Sequence, residues 1–151
     1  MTDLPMPPEI PEGFRPLPMG GEFMRVNGPL YLRHDGDSVQ VGFRVEKRHT
    51  NPMGICHGGM MASFCDMLLP ISIHRKSEVG QRFLPTINLQ IDYLAPAPLG
   101  AWVQGEGQVL RVTRSMVFAQ ALVHADGAPV ARVSGIFKIG PAFGGDGPAT
   151  R

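Results

Sequence analysis

A single carboxylate stands out in the middle of the chain. Asp66 is the only Asp, Glu, Lys or Arg between Arg48 and Arg75, and its neighbours at helical spacing are small or apolar. A solvated helix face would carry several charges. The carboxylate could bond a nearby backbone group, or it could act as a base or nucleophile whose surroundings adjust its basicity. The helical pattern alone leaves both interpretations open.

A glycine pair that follows a histidine is the second candidate. His57-Gly58-Gly59 stands at the start of the apolar run that contains Asp66. The first N–H groups of a helix have no partner within it, and the helix dipole is positive at that end. Glycines let a ligand approach such amides closely. The segment could therefore hold a phosphate, or polarise a carbonyl as negative charge develops on its oxygen.

The spacing of the two candidates limits how they could act together. Eight residues of helix separate Gly58 from Asp66, which is about 12 Å along the axis. Gly58 and Asp66 of one helix therefore cannot both contact the same carbonyl carbon. If both act on one substrate, the aspartate must come from a second copy of the chain. Two antiparallel helices about a two-fold axis would then form two shared sites per dimer.

Other reactive side chains lack the context that their chemistry requires. No G-x-S-x-G sequence surrounds Ser63, and Cys65 is interpreted as a core residue. Cys56 and His57 are adjacent on one loop, where two side chains rarely face each other. The histidines match no metal-ligand spacing such as H-E-x-x-H. We therefore predict neither a metal nor another cofactor.

Alternation with a period of two predicts strands on both sides of the candidate helix. Met24–His34 and Ser38–Arg48 form a predicted hairpin, because Asp35-Gly36-Asp37 is a turn signal. The helix is expected from about His57 to Lys76. Four more strands are expected over residues 86–93, 102–112, 116–124 and 130–139. The order β-β-α-β-β-β-β predicts an α+β domain, in which one antiparallel sheet surrounds one buried helix.

Composition and charge set the broad class of the protein. The chain has 151 residues, with 14 Lys and Arg against 13 Asp and Glu, so a nucleic-acid partner is not expected. No run of about 20 apolar residues is present to span a membrane, and a cytoplasmic location is predicted. A Pro-rich extended arm is expected over residues 1–21, the folded domain over 22–140, and a flexible tail over 141–151.

Three blocks of the sequence, taken together, resemble the hotdog-fold acyl-CoA thioesterases, and within them the phenylacetate-pathway (PaaI) type. The first follows the family pattern N-x-x-G-x-x-H-G-G-x(6)-D without a gap, from Asn51 to Asp66. The second is TINLQIDYLAPAPLG, residues 86–100. The third combines Arg114-Ser-Met-Val-Phe with Asp126-Gly127 and Val130-Ala131. The resemblance covers about residues 22–140.

The resemblance implies a fold, a reaction and a set of residue roles. The family wraps a curved antiparallel sheet of about six strands around one long central helix. Its members hydrolyse a thioester to CoA and a free acid. Gly58 would polarise the carbonyl through its amide, with Asn51 as a second contact. Asp66 of a second subunit would activate water or attack directly, and the hydroxyl of Thr86 would help to hold the water. His57 would contact the carbonyl or thiol region, or shape the loop.

The resemblance also implies partners and leaves alternatives open. Gly59 is expected at the substrate, and Arg111 and Arg114 could meet the CoA phosphates or be ordinary solvated charges. A homodimer with shared sites is implied, with a dimer of dimers as a further option. The competing functions are a non-catalytic acyl-CoA-binding module and a hotdog hydratase or dehydratase. The lone carboxylate of Asp66 favours hydrolysis over binding alone, and the string from Asn51 to Asp66 argues against a hydratase.

Overall fold

An antiparallel sheet of eight strands wraps one long helix in the computed structural model, which describes residues 9–143. The helix is α2, Gly58–Lys76, and a short helix α1, Glu22–Asn27, precedes the first long strands. The strands are β1 (Arg15–Pro16), β2 (Tyr31–Asp35), β3 (Ser38–Arg44), β4 (Thr86–Tyr93), β5 (Trp102–Gly105), β6 (Gln108–Val112), β7 (Met116–Ala125) and β8 (Ala128–Lys138). The predicted fold class is confirmed, and the long helix lies between the second and third predicted strands as expected, but the sheet has eight strands where about six were predicted.

The strand order is β1-β2-β3-β5-β7-β8-β4, and β6 also pairs with β7. The region predicted as one strand, residues 102–112, is therefore two short strands that both pair with β7. Gly107 lies at the break, where its N–H donates to Ser72 Oγ of α2 at 3.1 Å. A Cβ at Gly107 would lie 2.4 Å from that oxygen, so only glycine allows the sheet to approach the helix so closely.

The core lies between α2 and the concave side of the sheet. Phe64, Leu68, Leu69 and Ile73 of α2 are fully buried. Burial on several sides of the helix explains its nearly continuous apolar sequence. The helix continues through Pro70, which has no N–H to donate to the backbone oxygen of Asp66.

The first predicted strand is wrong at its start. Residues 22–27 are helical, and β2 begins only at Tyr31. An ion pair between Arg25 and Glu22 at 2.6 Å supports this helix, and Met24 is buried against the core. β3 also ends earlier than predicted, at Arg44, because a short 3₁₀ helix, Lys47–His49, follows it. These contacts override the alternation of apolar residues in the sequence.

The N-terminal segment lies against the sheet. Phe14 packs edge-on against Trp102 with ring centroids 4.9 Å apart, and the Arg33 guanidinium lies 4.5 Å from the Phe14 ring centre. Leu17 N–H donates to Leu30 O at 2.9 Å. Near the other end, Phe143 N–H donates to Gln81 O at 3.1 Å. The boundaries at 21 and 140 remain predictions, and residues 1–8 and 144–151 of the predicted arm and tail lie outside the described range.

Within residues 9–143, neither helix has the length and apolar character that crossing a membrane requires.

Candidate active site

Asp66 and Thr86 are brought together by α2 and β4. The Thr86 hydroxyl donates to Asp66 Oδ1 at 2.6 Å. Asp66 is half-buried, and Thr86 is exposed at the first position of β4. Asp66 Oδ2 has no hydrogen-bond partner among residues 9–143. One carboxylate oxygen is thus held in place, while the other is available to a bound molecule.

A β-bulge turns Thr86 towards the helix. The pairing of β4 with β8 shifts between Thr86 and Asn88, which pair with Phe137 and Ile136. In a regular strand, alternation through Ile87 would place Thr86 on the face opposite Leu89. The bulge accommodates Ile87 as an extra residue, so Thr86 shares the side that faces α2, where its hydroxyl reaches Asp66. The simple alternation in the sequence groups Thr86 with Asn88 and does not reveal this contact.

The loop before α2 is closed by the side chain of Asn51. Its Oδ1 accepts hydrogen bonds from Met53 N–H at 2.9 Å and Ile55 N–H at 3.4 Å. This is a side-chain turn of the kind that Asn commonly forms. The Asn51 amide nitrogen has no partner among residues 9–143 and can still donate. Its predicted contact with a substrate carbonyl stays a prediction.

His57 caps the first turn of α2. Its Nδ1 accepts the N–H of Gly59 at 2.8 Å, so this ring nitrogen carries no proton in the cap. The amide of Gly59 is therefore already occupied. The Gly58 N–H has no hydrogen-bond partner within residues 9–143 and lies at the positive end of the helix dipole. Of the two alternatives for His57, shaping the loop is the one that these contacts support.

Tyr93 holds the start of α2 and was missed as a site residue by the sequence analysis. Its hydroxyl donates to Gly58 O at 2.6 Å. Tyr93 ends β4, whereas Thr86 begins it. One strand therefore contacts α2 at both candidate groups, near Asp66 at one end and Gly58 at the other. The sequence did contain a signal, because the alternation in β4 places Tyr93 on the same face as Leu89 and Ile91, which face the helix.

The two candidate groups remain apart within one chain. Both are on the continuous helix α2, so the separation of about 12 Å along the axis holds. Asp66 and Thr86 open onto two adjoining cavities of about 580 and 500 Å³. His57 and Gly59 line a different cavity of about 300 Å³. None of these three cavities, lined by described residues, contains both Asp66 and His57.

The two predicted phosphate contacts lie elsewhere. Arg111 is exposed on β6, and Arg114 is exposed in the turn before β7. Neither lines the cavities at Asp66 or His57. The structure therefore does not bring Arg111 or Arg114 to the carboxylate within one chain, and their binding role stays a prediction.

The alternative nucleophiles are poorly suited to attack. Burial raises the pKa of the Cys65 thiol to about 12, with smaller contributions from Cys56 and Asp66. Burial also raises the pKa of Cys56 to about 11. Thiolate is the reactive form, so both cysteines are unreactive near neutral pH. Ser63 donates its hydroxyl to Gly59 O at 2.8 Å within the helix.

Comparisons with known proteins identify a matching family and several similar proteins. A family model described as the Thioesterase superfamily matches residues 53–131. A Pseudomonas aeruginosa protein named as an esterase, PA0474, is 30% identical over 131 residues, covering 86% of this chain and 97% of that protein. Acyl-coenzyme A thioesterase 13 of Homo sapiens is 26% identical over 116 residues, covering 75% of this chain and 80% of the human protein.

Solved structures share the fold. Thioesterase superfamily member 2 of zebrafish superposes with a TM-score of 0.66 at 27% identity, covering 74% of this chain and 81% of that one. A mutant of the phenylacetic acid degradation protein PaaI from Thermus thermophilus gives a TM-score of 0.66 at 21% identity, covering 79% of this chain and 99% of that one. These likenesses confirm the hotdog fold that the resemblance predicted.

Proposed function

This chain belongs to the thioesterase superfamily, and we propose that it hydrolyses an acyl-CoA to free CoA and a carboxylic acid. The observation that carries the proposal is the hydrogen bond from the Thr86 hydroxyl to Asp66, at the mouth of an apolar groove. The motif from Asn51 to Asp66 supports the proposal, because it follows the pattern of the hotdog-fold acyl-CoA thioesterases without a gap. So does the likeness to proteins that are named acyl-coenzyme A thioesterase.

The first step requires an activated water. Asp66 Oδ2 is free to accept a proton from water, while Thr86 fixes the orientation of the carboxylate through Oδ1. The Thr86 oxygen retains lone pairs that can accept a hydrogen bond from the same water. The water oxygen forms the new bond to the thioester carbon as its proton passes to Asp66. Direct attack by Asp66 would instead form an acyl-aspartyl anhydride, which water must then open.

The second requirement is a donor for the carbonyl oxygen. The Gly58 N–H at the start of α2, which has no partner among the described residues, is suited to stabilise an oxyanion. When the tetrahedral intermediate collapses, the carbon–sulfur bond breaks and CoA leaves as a thiolate. A thiol has a pKa of about 8.5, so this group leaves without a strong general acid. The proton held on Asp66 can then return to the thiolate.

The distance between these groups supports a shared site in a homodimer. β4 forms one edge of the sheet, and none of the described strands pairs with its outer side. Ile87 and Tyr93 of β4 are 53% and 55% exposed. Pairing of two β4 edges about a two-fold axis would extend the sheet and set two α2 helices antiparallel. Asp66 would then face Gly58 of the partner subunit. A further pairing of dimers remains a prediction.

The alternative functions make different use of the site. A binding module has no need for a carboxylate held by a hydroxyl donor at the groove mouth. A hydratase needs an acid and base pair at the substrate, and no histidine is hydrogen-bonded to Asp66 among residues 9–143. Both observations favour hydrolysis.

Release of free thiol from a panel of acyl-CoA substrates tests the proposal. The parent protein should hydrolyse at least one of an aryl, short, medium or long-chain thioester. Asp66→Asn should lower kcat by about 10²–10⁴-fold, the cost of removing a catalytic base. Ser63→Ala and Cys65→Ala, matched on the same helix, should retain activity. An Asp66→Asn variant with kcat within threefold of the parent would show that the carboxylate is structural.

A further inference from the structure

A groove of about 580 Å³ begins at Asp66 and Thr86 and follows the second half of α2. On the helix, its lining extends from Asp66 through Met67 and Ile71 to Arg75. Nine residues of helix correspond to about 13 Å. The volume is in the usual range for small-molecule sites, about 300–1,000 Å³. The groove is therefore large enough to hold a substantial part of a substrate.

The lining separates apolar from charged groups. Most of the lining side chains are apolar, among them Met19, Met67, Ile71 and Leu84, and Gln81 contributes an uncharged amide. The charged lining residues are Asp66 at one end and Arg75 at the other, where His74 also lies. CoA carries phosphates and amides, which require cations and hydrogen-bond donors along their length. An alkyl chain requires only apolar contact, and methionine side chains adapt to its shape.

One wall of the groove comes from the N-terminal segment Leu17–Gly20. Leu17 and Met19 are partly buried against the core. The segment is anchored at its first residue by the hydrogen bond from Leu17 N–H to Leu30 O at 2.9 Å. On its other side the chain is anchored by Met24, which also lines the groove and is 7% exposed. A segment held at both ends is a wall of defined position.

We propose that this groove binds the acyl chain of the thioester and that the segment Leu17–Gly20 limits the chain length that it accepts. This inference rests on the proposed function, because it takes the reacting carbonyl to lie at Asp66. The length of about 13 Å suits a medium-chain acyl group better than a long-chain one. The N-terminal segment thereby becomes a specificity determinant, although it makes no contact with the reacting atoms.

Gly20 offers a substitution that the backbone tolerates. A Cβ at Gly20 would meet no atom within 4 Å, and its φ is outside the left-handed region. Gly20 lines both the groove and the adjoining cavity beside Met67. Gly20→Phe should therefore fill part of the groove without straining the chain. Met19→Ala should have the opposite effect, because it removes a side chain from the same wall.

Binding of S-alkyl-CoA thioethers, which cannot be hydrolysed, tests the inference by calorimetry. The parent should bind S-octyl-CoA more tightly than S-ethyl-CoA or S-hexadecyl-CoA. Gly20→Phe should weaken S-octyl-CoA binding at least tenfold and S-ethyl-CoA binding by a clearly smaller factor, because only the longer chain extends along the groove. Met19→Ala should improve S-hexadecyl-CoA binding relative to S-octyl-CoA. The matched control is Ala128→Phe, which adds an aromatic ring at an exposed hairpin position and should leave the preference unchanged.

Three results would overturn the inference. One is equal affinity of the parent for the ethyl and octyl ligands. Another is an equal loss for every alkyl length in Gly20→Phe, which would assign the groove to CoA itself. The third is a Gly20→Phe variant whose oligomeric state changes on light scattering while its chain-length preference stays that of the parent. That result would assign the groove to a contact between subunits. A parent that shows the expected length preference but releases no thiol from acyl-CoAs would defeat the proposed function and leave this inference standing.

Discussion

Asp66 depends on Thr86 for the single hydrogen bond that its carboxylate makes to described residues. The contact joins residues that are 20 positions apart in the chain, at 2.6 Å. It places a hydroxyl beside the only carboxylate in a helix that is otherwise uncharged until its last turn. The same hydroxyl is able to orient a water, which gives Thr86 two roles in the proposed reaction. Substitutions at Thr86 can distinguish these two roles of the hydroxyl from a role in packing alone.

We expect Thr86→Val to lower kcat by about 10–100-fold, whereas Thr86→Ser should stay within about threefold of the parent. Valine keeps the shape and removes the hydroxyl. A hydrogen bond to a charged group contributes about 1.5–3 kcal/mol, and about 1.4 kcal/mol corresponds to tenfold in rate. Thiol release measures the rates, and circular dichroism checks the fold. Equal activity of the valine and serine variants would remove the hydroxyl from the mechanism.

The first turn of α2 is held by side chains that leave one of its amides available to bind an oxygen. His57 occupies the amide of Gly59, and Tyr93 occupies the carbonyl of Gly58. These contacts hold the first turn in place and leave the Gly58 N–H without a partner among the described residues. β4 links this turn to Asp66, since its two ends contact the two candidate groups. Rigid elements therefore position both sides of the proposed reaction.

The Gly58 N–H can be removed without rebuilding the helix. Gly58→Pro should lose most turnover, because proline has no N–H but is well accepted at the first position of a helix. His57 has φ −59° and ψ 136°, a conformation that suits a residue before proline. Gly58→Ala is the matched control: its Cβ would lie 3.5 Å from the Tyr93 hydroxyl, an ordinary contact. If both variants keep normal kcat, the amide is not the oxyanion donor.

The 3₁₀ helix after β3 connects to α1 through His49. This side chain is 3% exposed. Its Nδ1 accepts Glu46 N–H at 3.1 Å, so Nε2 carries the proton and donates to Asn27 O at 2.8 Å. Burial lowers the pKa of His49, and the hydrogen bond to Asn27 opposes this. Nearby Arg48 lowers the pKa further, whereas Glu46 raises it. The folded protein thus favours the neutral imidazole.

Stability should fall in acid because of His49. Its folded pKa is below its unfolded value of about 6.5, so the unfolded state binds more protons as pH drops through that range. The contribution of His49 to stability is complete above about pH 6.5 and is lost as pH falls through the folded pKa. Urea unfolding at several pH values between 5 and 8 measures this. His49→Gln should show a smaller decline in acid, while His124→Gln serves as the control. An unchanged decline in His49→Gln would contradict the assignment.

The proposed function requires two copies of the chain. The groove, Asp66 and Thr86 lie beside the second half of α2, whereas the Gly58 N–H, which has no partner among the described residues, lies at the start of the helix. In the proposed dimer, a second copy would complete the site at the outer edge of β4, which none of the described strands covers. Catalysis and dimer formation are therefore linked in the proposed function.

Mixed dimers test this link. Asp66→Asn and Gly58→Pro should each be inactive alone. In a heterodimer with shared sites, one site collects both lesions and the other has neither, so half of the sites regain both groups. A random equal mixture should then recover about a quarter of the parent activity, since about half of the dimers are mixed. If heterodimers form, as shown by two different affinity tags, and no activity returns, each site lies within one chain.

Much of the fold could be predicted because its signals are local. The apolar run from His57 to Lys76 is helical over Gly58–Lys76, and the order of strands on either side is as expected. Periodicity is a property of neighbouring residues, so it can be seen without knowing what they contact. The lone charge of Asp66 and the glycines at 58 and 59 were visible for the same reason.

The remaining features were decided by contacts between distant segments. The bulge at Ile87 turns Thr86 towards Asp66, and this depends on the register between β4 and β8. The short helix at Glu22–Asn27 replaces a predicted strand because Met24 finds a buried position in the core. Leu17–Gly20 becomes a wall of the groove only because the preceding strand β1 pairs with β2. Sequence patterns record local geometry, whereas these features follow from packing across the whole chain.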